Sequence, residues 1–321
     1  MKAIVYTQYG SPEVLELQNV EKPTPKDNEV RIRIRAAVVT PADCSFRRAD
    51  PFMVRFVYGL FRPRNRILGV ELSGEIEEIG REVKGFQAGD QVYGISPKSF
   101  GAHAEYVCLP ETAPLAPKPA NMTDEEAAGI CDGALTSLVF LRDAAKIKSG
   151  QKVLVNGASG SVGAYAVQLA KYYGADVTGV CSAANVELVR SLGADRVIDY
   201  TQTDFTRTGE TYDVIFDAVG KSSYSRCKDV LAPAGVYLST VPSAGLMLSM
   251  LMTAIGGGKK AKFVTAGLKQ NQQNLDFLRE LAESGQLRPV IDRRYPLERI
   301  AEAHRYVETG RKKGNVVIAM D

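Results

Sequence analysis

The feature that most constrains this chain is the run VLVNGASGSVGAYAVQLAKYYG, residues 153–174. A β-prone segment at 153–156 leads into Gly157, Gly160 and Gly163. A helical pattern follows, with Val162, Ala166, Leu169 and Tyr173 on one face. Strand, glycine turn and helix in that order open a βαβ unit. The G-x-x-G-x-x-G spacing departs by one residue from the usual dinucleotide fingerprint. Without a Cβ, glycine lets the backbone approach a pyrophosphate held at a helix N-terminus. Gly157, Ala158, Ser159, Gly160, Ser161, Val162 and Gly163 are therefore candidate cofactor-binding residues. A tight turn that binds nothing is the alternative, and the completed βαβ context disfavours it.

The surroundings agree. KVLVN, DVTGV, RVIDY, YDVIFDAVG and GVYLSTV read as strands, with helical runs such as NVELVRSLG between them. Such alternation predicts a parallel sheet. The first 120 residues look different: short alternating segments such as VRIRIRAAVV are punctuated by Gly69, Gly74, Gly80, Gly85, Gly89 and Gly94. That pattern suggests an irregular barrel. A capping box at Thr123 and Glu126 opens the helical stretch between the two. We therefore expect a barrel over 1–122, a dinucleotide-binding domain over 123–265, and a tail, 266–321, that returns to the barrel.

Hydrophobic residues make up 45% and charged residues 24% of the 321, which excludes disorder, collagen and coiled coil. A net charge of +3, spread along the chain, gives no basis for nucleic-acid binding. The five cysteines are far apart with no CxxC pair, as expected of thiols in a reducing cytoplasm. The opening MKAIVYTQYG has no apolar signal core. The longest apolar stretch, 244–255, has twelve residues, well short of the ~20 that span a bilayer.

The end of the second strand bears on the cofactor. An NAD site usually carries an acid there for the ribose hydroxyls. Here Cys181 is followed by Ser182, Ala183, Ala184 and Asn185. No acid repels a 2′-phosphate, and Ser182 and Asn185 can donate to one, so NADPH is expected. Helix capping is the plainer role for both residues.

Several collinear motifs resemble the medium-chain dehydrogenase/reductases, in their zinc-free quinone oxidoreductase form. They are GVELSGEIEEIG (69–80), FQAGDQVYG (86–94), GAHAEYV (101–107), ALTSLVFL (134–141), the glycine loop, SLGADRVIDY (191–200), FDAVG (216–220) and GRKKGNVVI. The resemblance covers essentially the whole chain. It implies an α/β protein with a GroES-like β-barrel built from both chain ends and a Rossmann doubly wound parallel sheet. It places Val219 and Gly220 against the cofactor ribose, Val241 to Ser243 at the carboxamide, and Tyr200 beside the adenosine ribose phosphate. Arg311 and Lys312 would add charge there, although a solvated helix end is the plainer reading. The resemblance also puts Thr40, Asp43 and Thr136 beside substrate and nicotinamide. For Asp43 a turn cap competes with catalysis. For Thr136 the competing role is a bond to its own i−4 carbonyl.

Zinc members of the family have a cysteine where Thr40 stands and a histidine where Val70 stands. His103 and His304, the two histidines, are each isolated in the chain and are expected to be surface or packing residues rather than ligands. The implied activity is metal-free hydride transfer from NADPH to a small apolar electrophile, a quinone or an α,β-unsaturated carbonyl. PFMVRFVYGLFRPR (51–64) and AGLMLSMLMTAI (244–255) would shape an apolar cleft. The alternatives are a zinc-independent alcohol dehydrogenase and a non-catalytic NADPH-binding sensor. A homodimer is the family's habit.

Overall fold

The computed structural model describes residues 1–97, 99–256, 258–266 and 270–320. It divides into two compact units, residues 1–132, 271–283 and 289–321 in one and 133–270 with 284–288 in the other. The first unit opens with β1 (Lys2–Val5), β2 (Glu16–Asn19), β3 (Glu29–Val39), α1 (Pro41–Arg48) and α2 (Val54–Tyr58). β4 (Glu71–Ile79), β5 (Gln91–Ile95), β6 (Tyr106–Pro110), β7 (Leu115–Pro117) and α3 (Asp124–Gly129) follow. After α4 (Cys131–Leu138) come β8 (Lys152–Asn156), α5 (Ser161–Tyr172), β9 (Asp176–Cys181), α6 (Val186–Ser191) and β10 (Arg196–Asp199). β11 (Tyr212–Asp217), α7 (Tyr224–Cys227), β12 (Leu231–Ser239), α8 (Ala244–Ala254) and β13 (Lys260–Lys262) complete the second unit's series. α9 (Gln272–Glu283), β14 (Ile291–Pro296), α10 (Ile300–Glu308) and β15 (Asn315–Ala319) belong to the first unit.

The first unit is built on a seven-stranded sheet ordered β14-β15-β3-β4-β5-β7, with β6 also paired to β3. Its central strand shows why. Val30, Ile32 and Ile34 alternate with Arg31, Arg33 and Arg35, burying one face. From Ala36 to Val39 every residue is buried, so the strand's second half is covered on both sides. Ala37 and Val39 join the main core with Leu72, Ile300 and Val316, while Ala36 and Val38 meet Ala128 of α3 and Val317.

That packing corrects the expected boundary. The capping box forms, with the Glu126 N–H donating to Thr123 Oγ1 at 3.3 Å. The helix it starts, however, belongs to the first unit and not to the nucleotide-binding half, because its small residues fit β3 and β15. Asn315 Nδ2 donates to the Gly129 carbonyl at 2.8 Å. Conversely, residues 284–288, expected in the returning tail, belong to the second unit. There Gln168 donates to the Arg288 carbonyl at 3.1 Å and accepts its N–H at 2.8 Å.

The second unit holds six parallel strands in the order β10-β9-β8-β11-β12-β13. Starting from β8, the chain adds β9 and β10 on one side and β11 to β13 on the other. The order therefore reverses between β8 and β11, and the crevice beyond the strands' C-terminal ends is where such sheets take ligands.

Candidate functional site

Three loops meet at that switch point. The first is the glycine loop between β8 and α5, where the N–H groups of Gly157 and Ala158 both donate to the Val180 carbonyl at 3.0 Å. Gly157 has φ +82°, and a Cβ there would run into the Val219 side chain. A Cβ at Gly163 would strike the Gly157 carbonyl, so its absence lets α5 pack tightly on the loop. α5 begins at Gly160 with no capping side chain. A helix N-terminus with no capping side chain, brought close to its loop by Gly157 and Gly163, is the form a dinucleotide pyrophosphate requires.

Asp217, at the end of β11, organises the second loop and was not singled out in the sequence. It is fully buried and accepts from Asn156 Nδ2 (3.0 Å), the Ser222 N–H (2.7 Å) and the Tyr237 hydroxyl (3.1 Å). Burial, then the Asp217 charge, holds the Tyr237 hydroxyl above its ordinary pKa. The loop thus pinned presents Val219, 42% exposed, and Gly220 at φ +64°, against which Val241 closes. In the third loop Val241 is exposed, and the Ser243 hydroxyl caps α8 by accepting the Leu246 N–H at 3.1 Å. The Val241 N–H donates to Ser239 Oγ at 3.2 Å and its carbonyl accepts from the same hydroxyl at 3.3 Å, which leaves the backbone of 242–243 as the part open to a ligand.

At the end of β9 the structure replaces the capping role weighed for Ser182 and Asn185. Neither side chain caps a helix. The buried Asn185 amide instead donates to Ser159 Oγ at 3.1 Å and to Ser182 Oγ at 3.2 Å, tying the glycine loop to the second strand. Each serine hydroxyl keeps its own proton to donate. Tyr200 lies alongside, exposed, its N–H donating to the Cys181 carbonyl at 3.0 Å. β10 also brings Asp199 into register with Cys181, an acid invisible in the linear reading of β9. Its Oδ1 is held by the Thr201 N–H and hydroxyl at 3.0 and 2.8 Å.

Thr136, on α4, is nearly buried and makes no side-chain hydrogen bond among the described residues. The i−4 bond weighed for it belongs to its neighbour: Ser137 Oγ donates to the Gly133 carbonyl at 2.8 Å.

In the first unit, Thr40 and Asp43 form a capping box. Asp43 Oδ2 accepts the Thr40 N–H (2.8 Å) and hydroxyl (2.7 Å), and Asp43 Oδ1 accepts the Gly69 N–H at 3.1 Å. Asp43 is fully buried. Its role is capping and positioning, so the catalytic assignment is corrected: the carboxylate has no open face. Thr40's one proton is committed to Asp43, so its hydroxyl cannot also donate to a substrate. With Val70 as neighbour, these positions offer no soft or imidazole ligand, and among the described residues no three His, Cys, Asp or Glu side chains converge on a metal position. The residues do not fit a zinc ion.

His103 and His304 are not isolated in space. Both are fully buried, with ring centroids 5.9 Å apart, edge to face. Cys44 Sγ lies 3.4 Å from His304 Nδ1. Burial, with His103 and Arg47 adding to it, drops the His304 pKa well below the usual value, and burial pushes the Cys44 thiol up to about 12. Arg311 and Lys312 also lie in this unit. Lys312 turns inward rather than extending as a solvated end: its ammonium donates to the Gly314 carbonyl at 2.5 Å, and burial brings its pKa down to about 8. Arg311 is exposed.

Two family models match: the alcohol dehydrogenase GroES-like domain over residues 26–120 and the zinc-binding dehydrogenase over 192–318. The 2-methylene-furan-3-one reductase of Solanum lycopersicum is 34% identical, over 99% of this chain and 79% of its own. The chloroplast envelope quinone oxidoreductase homolog of Arabidopsis thaliana is 33% identical, covering 99% and 98%. Among solved structures, the quinone oxidoreductase from Coxiella burnetii superposes with a TM-score of 0.90 at 29% identity, over 100% of this chain and 99% of that one. With its nucleotide cradle and its two sheets, this chain belongs to the medium-chain dehydrogenase/reductase superfamily, in the quinone oxidoreductase-like branch.

Proposed function

We propose that the protein reduces quinones or α,β-unsaturated carbonyls with NADPH and without a metal. The observation that carries the reading is the state of the two metal-ligand positions: a Thr40 hydroxyl locked in a helix cap and an apolar Val70, in a chain that also builds a dinucleotide cradle. Lacking a Lewis acid at those positions, the site suits an acceptor whose own conjugation delocalises the anion formed. The bound cofactor supplies the hydride. Gly157 to Gly163 and the α5 N-terminus hold its pyrophosphate. Val219 and Gly220 flank the ribose, the backbone of 242–243 meets the carboxamide, and Thr136 borders the nicotinamide. Preference for NADPH rests on the Ser159 and Ser182 hydroxyls held by Asn185.

A panel of quinones, enones and alcohols read by NADPH absorbance tests this. Quinones or enones should turn over fastest, and Thr136→Ala should lower kcat/KM about tenfold while NADPH still binds, as expected for one lost hydrogen bond. Faster turnover of simple alcohols would overturn the reading. Tight NADPH binding with no turnover of any acceptor would mark a sensor instead. The same proposal includes a cytoplasmic homodimer. Five unpaired thiols suit a reducing compartment. The outer edge of β13, which has no partner strand among the described residues, and the exposed Met247, Leu248, Leu251 and Met252 of α8 are surfaces a second copy would cover. Light scattering on the purified protein reads that mass directly.

A further inference from the structure

Residues 51–70, PFMVRFVYGLFRPRNRILGV, contain Arg55, Arg62, Arg64 and Arg66 and no aspartate or glutamate. None of the four arginines forms an ion pair among the described residues. The same stretch exposes Phe52 (60%), Met53 (68%), Phe56 (61%) and Phe61 (88%). The loop is fixed at its base. Tyr58 packs its ring against Phe46 and Phe100, at centroid distances of 4.6 and 5.4 Å. The Arg64 N–H donates to the Tyr58 carbonyl at 2.8 Å, closing the loop, and the Tyr9 hydroxyl donates to the Gly59 carbonyl at 2.7 Å. Gly59, at φ +126°, sits where a Cβ would strike the Arg62 carbonyl, so the turn is tight. Leu60 and Phe61 form its tip, with the exposed Arg62 and Arg64 directly behind. Beside the base, Phe52 and Phe56 stack edge to face at 5.8 Å, and the Arg55 guanidinium lies over Phe52 at 5.5 Å.

A phenyl group this exposed is unfavourable in water, and the exposed Arg62, Arg64 and Arg66 that follow it in the chain call for anions nearby. A surface that accepts both is the headgroup–acyl boundary of an anionic bilayer. An exposed apolar pair followed by cations suits a fluid layer that adapts to it better than a protein partner, which would need a matching cavity. We infer that this loop docks the protein peripherally on anionic phospholipid membranes, with Leu60 and Phe61 entering the acyl boundary and Arg62, Arg64 and Arg66 on the lipid phosphates. The inference does not depend on which acceptor is reduced.

The test is co-sedimentation of the full-length protein with phosphatidylcholine vesicles, with and without phosphatidylglycerol, at low and high salt. Binding should require phosphatidylglycerol and weaken with salt. The triple substitution Arg62→Ala, Arg64→Ala, Arg66→Ala should lower partitioning about 100-fold, from the usual contribution of each cation near an anionic surface. Leu60→Ser with Phe61→Ser should lower it at least about tenfold, from the apolar area lost. NADPH fluorescence titration of each variant confirms that it is folded. Equal binding to both vesicle types, an unaffected triple variant, or no binding at all overturns the inference. So does a Phe61→Asp variant that changes the protein's mass in solution while vesicles bind neither form, which would make the loop a protein contact.

Discussion

Asn185 shows what one amide decides. By donating to Ser159 and Ser182 it leaves both hydroxyls with protons to offer an anion. Asn185→Asp keeps the shape but reverses the polarity, taking those protons and adding a charge. NADPH affinity should fall about 10- to 100-fold while NADH affinity changes little, read by fluorescence titration of both nucleotides. An unchanged ratio would show that neither hydroxyl meets the 2′-phosphate. His304 allows a second prediction at this scale. Its folded pKa is depressed, so the unfolded chain takes up a proton below ~6.5 where the folded one does not. The stability this group contributes is therefore present above ~6.5 and is lost as pH falls toward the folded value, by about 1.4 kcal/mol per pH unit. Urea unfolding between neutral and mildly acidic pH should show a steeper loss in the native protein than in His304→Gln. Parallel slopes would mean that the imidazole titrates normally.

The strand, turn and helix around the glycine loop were legible because each step is local. β8 runs from Lys152 to Asn156, and α5 starts at Ser161, with Gly163 in its first turn. Tight packing of α5 on the loop depends on Gly163, whose Cβ would meet the Gly157 carbonyl. Gly163→Ala should therefore destabilise by ~1–3 kcal/mol, as overpacking does, and weaken nucleotide binding with it. Thermal melts with and without NADPH check both, and a variant that melts like the native protein would show that the loop can shift. α3 illustrates what was not legible at this scale. Its capping box followed from TDEE, but the helical stretch expected to run on from it breaks after Gly129, and nothing in TDEEAAG says which sheet α3 covers. That depends on the small residues of β3 and β15 fitting Ala128.

For the whole molecule, prolonged treatment with a strong chelator should leave activity unchanged, because the chain offers neither a thiolate at residue 40 nor an imidazole at residue 70. Loss of activity restored by added zinc would show that ligands come from elsewhere. By itself the sequence determined the two architectures and the glycine loop, since these are matters of residue type and of period 2 or 3.6 along neighbouring positions, while the significance of residues 40 and 70 came from the family resemblance. It could not determine which side chains meet. Cys44 and His304 lie 260 residues apart, Asp43 reaches Gly69, and Ser159 is joined to Asn185. Thr40 and Asp43 were found as a pair and close on each other locally, and the fold adds the buried Gly69 N–H on the second carboxylate oxygen. Hydrogen bonds and burial between distant residues exist only once the chain is folded, and they closed off the Asp43 carboxylate, for which the sequence had left cap and catalysis open.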